Sequence, residues 1–88
     1  MITPKEKEDL NQILNGLLNS KNRTGRVSEL LKLKCDEPII QYYIYVLLEN
    51  KNGLVESLGD FGYGDCPKEP ILKITDSGEH FVRSGGYL

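Results

Sequence analysis

Any chemistry done by this chain must come from a short roster of side chains. There is one histidine, His80, and there are two cysteines, Cys35 and Cys66, far apart in sequence. Their number and spacing do not supply the four ligands of a zinc site. Cys35 reads as a small buried apolar residue, Cys66 as an exposed one, and His80 as a partly exposed helix position. No acid/base pair stands out from the ordinary surface carboxylates. The expectation is therefore a protein that is not an enzyme and takes no metal or cofactor.

Two other groups of residues point to binding. Arg23 and Arg26 flank Thr24-Gly25, and Gly25 would let the backbone approach a phosphate near a helix start, where the dipole helps. Lys32 and Lys34 lie at the far end of the same helix, where favourable charge at a C-terminus explains them equally well. Tyr42 and Tyr45 fall on one side of a second apolar segment. Left in water, two tyrosines mark an interface; burial by the N-terminal segment or the hairpin is the alternative. The run Gly59-x-x-Gly62-x-Gly64 lacks the Gly-Lys-Ser/Thr ending of a phosphate-binding loop. Asp60-Phe61-Gly62 matches a kinase tripeptide without the length or the partner motifs of a kinase. These glycines read as turn residues, with Phe61 and Tyr63 at a loop tip that either enters a groove or folds back.

The elements that must position these residues come from an 88-residue chain, room for a single domain. Hydrophobic residues are 39% and charged residues 27%, an ordinary globular share. No apolar run reaches a membrane-spanning length, and the opening Met1-Ile2-Thr3-Pro4-Lys5-Glu6 has no apolar h-region, so no secretory signal is expected. With so few cysteines, a cytoplasmic location is expected. The net charge is −2, but it is unevenly spread. Residues 21–35 carry Lys21, Arg23, Arg26, Lys32 and Lys34 against Glu29, whereas residues 36–80 are strongly acidic. A non-specific nucleic-acid binder needs a marked basic excess. This chain offers only a basic patch.

Leu10, Ile13, Leu14, Leu17 and Leu18 form one helical stripe over residues 4–19. Thr3, Pro4 and Glu6 supply its cap, and Gly16 is a weak point within it. A polar loop follows, then a helix over 26–33 with Val27, Leu30 and Leu31. Asp36 is placed to cap a third helix over 37–50, with Pro38 in its first turn. There Ile40, Tyr43, Ile44 and Leu47 share one side, while Gln41, Tyr42, Tyr45 and Glu49 share the other. Gly53 suits a left-handed position beyond its end. Strands at 54–58 and 71–75 flank the Gly/Pro-rich loop. Thr75 caps a last helix over 76–84, whose Phe81 and Val82 fold back on the core and which Gly85-Gly86 stops.

Two short helices joined by a tight turn and followed by a hairpin resemble a winged helix-turn-helix, an α+β, mainly helical fold. Ser28-Glu29-Leu30-Leu31-Lys32-Leu33 and Asp36-Glu37-Pro38-Ile39-Ile40-Gln41-Tyr42-Tyr43-Ile44 look like the family's second and third helices. Asn52-Gly53-Leu54-Val55 resembles its lead into the wing. Leu72-Lys73-Ile74-Thr75-Asp76-Ser77-Gly78-Glu79-His80-Phe81 resembles the wing's exit in small bacterial members. The resemblance covers about residues 25–85 and a first helix. It implies a third helix offered to the DNA major groove, with the hairpin touching the backbone.

The leading expectation is a small transcriptional regulator bound to double-stranded DNA. Arg23, Arg26, Lys32, Lys34, Lys68 and Lys73 would meet phosphates, and Gln41 and Tyr42 would meet bases. Against it, no Lys or Arg stands between Lys34 and Lys51, and Glu37 would repel phosphate. The alternative is a protein-interaction module, as a homodimer or with a foreign partner, using Ile39, Tyr42, Tyr45, Val46, Phe61 and Tyr63.

Overall fold

The structure, a computed structural model, describes residues 3–34, 37–49, 53–61 and 70–87. The first helix, α1, runs Pro4–Asn19. Its start is a reciprocal capping box: the Thr3 hydroxyl accepts from the Glu6 N–H at 3.2 Å, and the Glu6 carboxylate accepts from the Thr3 N–H at 2.9 Å. A single 3₁₀ turn at Lys21–Arg23 follows, leading into β1 (Thr24–Gly25) and α2 (Val27–Leu31). Lys32 adopts φ 56° and ends α2 one turn after it begins. The helix is thus shorter than the 26–33 span its apolar spacing predicts.

The third helix, α3, runs Pro38–Glu49. The hairpin strands are β2 (Val55–Phe61) and β3 (Pro70–Ile74), and α4 (Asp76–Arg83) closes the fold. The three strands form one antiparallel sheet in the order β1-β3-β2. Strand β1 was not readable as a strand, because two residues cannot show alternation. It pairs Thr24 with Lys73 and Gly25 with Leu72, stitching the polar loop onto the hairpin. The fold is α+β and mainly helical, with a small three-stranded sheet. No helix among the described residues is long and apolar enough to cross a membrane.

The core gathers Leu10, Ile13, Leu14 and Leu17 from α1 with Ile40, Tyr43, Ile44 and Leu47 from α3. Val27, Leu54, Val55, Leu72 and Ile74 complete it, and Phe81 and Val82 pack against its edge. Gly16 is more than a weak point. A Cβ there would stand 2.5 Å from Leu30 Cδ2, so α2 packs closely on α1 at this point and an added side chain would have to displace the Leu30 methyl. At the far end, the Thr75 hydroxyl accepts from the Gly78 N–H at 3.0 Å and reaches back to the carbonyls of Gly53 and Leu54. One side chain caps α4 and anchors the start of the hairpin. Asp36 and Cys35, expected in the α2–α3 turn, lie outside the described residues, as does Cys66.

Candidate macromolecular interface

The basic loop is exposed and its shape is set by local hydrogen bonds. The Ser20 hydroxyl reaches the Leu17 carbonyl at 3.0 Å and the Thr24 carbonyl at 2.7 Å. Asn22 and Arg23 then take left-handed φ values of 64° and 58°. This turn carries the Arg23 guanidinium to α4, where Nη1 sits 3.1 Å from Glu79 Oε1. Arg83 meets the same oxygen at 3.3 Å. The Arg83 hydrogen bond, aided by the charges of both arginines, holds the Glu79 carboxyl below the usual glutamate range.

A carboxyl held down in the folded state stabilises the fold above the unfolded-state pKa, and that contribution is lost as pH falls through the folded value. The Glu79→Gln variant should therefore melt below wild type at neutral pH. Thermal melts across pH should show the two curves converging below about pH 4.

Arg26 is equally occupied. It stands at the N-cap of α2 with Nη1 3.7 Å from Glu29 Oε1, and its side chain is only 17% exposed. Its Nε is buried and has no hydrogen-bond partner. The two arginines expected to meet phosphates are thus both engaged within the domain. Lys32 and Lys34 are exposed in the α2–α3 turn, with no ion pair among the described residues. The Lys34 carbonyl accepts from the Glu37 N–H at 3.1 Å, bringing an acid beside this basic pair. Lys73 is exposed on β3 but lies directly across from Glu56 on β2. Lys68 lies outside the described residues.

On α3 the two tyrosines part company. Tyr45 is 63% exposed, while Tyr42 is half-buried against the start of α1, where its hydroxyl hydrogen-bonds the Glu6 carboxylate. Burial, then the nearby Glu6 charge, raises the Tyr42 phenol above its ordinary value. Tyr42 therefore does not share the outward strip with Gln41. That strip consists of Pro38, Gln41, Tyr45, Leu48 and Glu49, all exposed, and Glu37 precedes it. No cation stands on it. Leu48, 38% exposed and three residues beyond Tyr45, joins the strip, since helical spacing places the two side by side.

The inner side of α3 braces it to α1. The Tyr43 hydroxyl donates to Asp9 Oδ2 at 2.6 Å, and beside it Gln12 Nε2 ties α1 to α2 by donating to the Leu30 carbonyl at 3.0 Å. Tyr43, Asp9 and Gln12 border a cleft of about 560 Å³ also lined by Leu31, Leu33 and Ile39. Burial first, then the Asp9 hydrogen bond, raises the Tyr43 phenol well above its ordinary value. Tyr43→Phe keeps the ring and removes the donor from a half-buried carboxylate. It should cost roughly 1–2 kcal/mol in urea unfolding, with an unchanged slope.

Among the remaining interface candidates, Ile39 and Val46 are half-buried against the core. Phe61 ends β2, and Tyr63 lies outside the described residues. Leu58 on β2 is 47% exposed, a second apolar surface position that sequence alone did not single out. No protein-family model matches the chain, and neither the curated proteins nor the solved structures give a match.

Proposed function

We propose that the chain is a winged helix-turn-helix domain that recognises a protein through the outer face of α3. The element order, with β1 ahead of α2 and the β2–β3 hairpin after α3, supports the fold. The observation that carries the function is the outer strip itself. Pro38, Gln41, Tyr45 and Leu48 put an uncharged, partly apolar surface where a DNA-reading helix needs cations, and Glu37 and Glu49 mark its ends. Phosphate contact supplies most of the affinity of non-specific DNA binding, and such a strip repels phosphate.

DNA binding remains the second reading, favoured by one feature: Lys32 and Lys34 are exposed in the turn that leads into α3. Fluorescence anisotropy with a mixed-sequence duplex separates the two. Protein recognition predicts no saturable binding at about 50 mM salt. Two lysine–phosphate contacts would instead give a log–log salt slope near −2, lost in the Lys32→Ala, Lys34→Ala double variant.

A further inference from the structure

We infer that the outer face of α3 takes a segment of a different protein whose apolar centre is rimmed by Lys or Arg side chains; this rests on the protein-recognition reading above. The centre of the face is Tyr45 and Leu48, exposed by 63% and 38%, with the Gln41 amide beside them. An exposed Tyr–Leu pair at three-residue spacing is a ready anchor for an apolar side chain. The charge on the strip itself has one sign, the lysines Lys32 and Lys34 lying in the turn before it. Glu37 stands at the leading end and Glu49 at the trailing end, and no Lys or Arg lies on α3.

That arrangement decides the occupant. In a two-fold dimer the same patch meets itself. If the two copies of α3 ran antiparallel, Glu37 would face Glu49; if parallel, each glutamate would face its own mate. Either way acids oppose acids across an apolar contact, where like charges weaken association. A second copy joined through this face is therefore disfavoured, as is any acidic surface. A partner that places cations at both ends of an apolar centre meets all the groups the face presents.

The test titrates ¹⁵N-labelled protein with a short amphipathic helical peptide of leucine and lysine, and with its leucine–glutamate counterpart. The basic peptide should shift the amides of Gln41, Tyr45 and Leu48 and bind about tenfold more tightly than the acidic one. That ratio is what two exposed ion pairs gained, rather than two like-charge contacts suffered, would produce. The Glu37→Lys, Glu49→Lys double variant keeps the apolar centre and should reverse the preference. Equal binding of both peptides on α3, or preference for the acidic one, overturns the charge inference while protein recognition stands. A basic peptide that leaves the α3 amides unmoved also overturns it, as does a dimer whose formation broadens those amides. If duplex DNA alone moves them, the underlying reading fails.

Discussion

Replacing Gly78 by alanine should cost about 3 kcal/mol and lower the melting midpoint by roughly 15 °C. Gly78 is buried in the first turn of α4. A Cβ built on it would press into the Leu54 carbonyl oxygen and stand 2.7 Å from Ile74 Cγ1. The nearer obstacle is backbone, which cannot swing aside as a leucine methyl can. It belongs, moreover, to the residue whose carbonyl accepts from the Thr75 N–H at 3.1 Å. Displacing it would pull apart the junction of hairpin and α4. The Gly in the Thr-x-x-Gly-x-x-Phe run is thus explained by packing, with no ligand invoked. Gly53 offers the contrast. It has φ 60° and nothing near the position of an added Cβ, so Gly53→Ala should cost only the left-handed penalty of about 1 kcal/mol. Chemical unfolding of the two variants side by side checks the ordering.

A loss of similar size is expected for Leu17→Ala, about 2–5 kcal/mol. Leu17 is fully buried on α1, and its Cδ2 lies 3.3 Å from where a Gly25 Cβ would stand, so it packs directly under β1. Truncation removes a side chain from the centre of the core and leaves a void that α1 and β1 cannot both close. For a domain this small the lower end of that range already removes a large part of the total stability. Urea unfolding should show a reduced midpoint. Loss of β1 pairing would appear as faster hydrogen exchange at the Thr24 and Gly25 amides than the global change explains.

Local signals made the helices legible. Thr3, Pro4 and Glu6 carry the start of α1 in four residues, and Thr75 with Gly78 does the same for α4, because caps are read between near neighbours. The spacing of Ile40, Tyr43, Ile44 and Leu47 separated the buried side of α3 from Gln41 and Tyr45 correctly. What stayed hidden depends on distant partners. Nothing near Arg23 announces that Glu79, far along the chain, will take its charge. Nothing near Tyr42 and Tyr43 announces that Glu6 and Asp9 will accept from their hydroxyls. Left-handed Asn22 and Arg23 are equally opaque, since neither is glycine, and so is β1, whose two residues pair only because β3 lies beside them. The basic patch was therefore legible as composition, but not the pairing of its two arginines with carboxylates, which leaves fewer cations free for phosphate.

The claim that α3 presents a surface suited to protein and unsuited to phosphate is tested most directly by amide shifts on addition of duplex DNA at about 50 mM salt. The Gln41, Tyr45 and Leu48 resonances should stay in place throughout the titration. Shifts at those three amides that grow with DNA and collapse as salt is raised would contradict it.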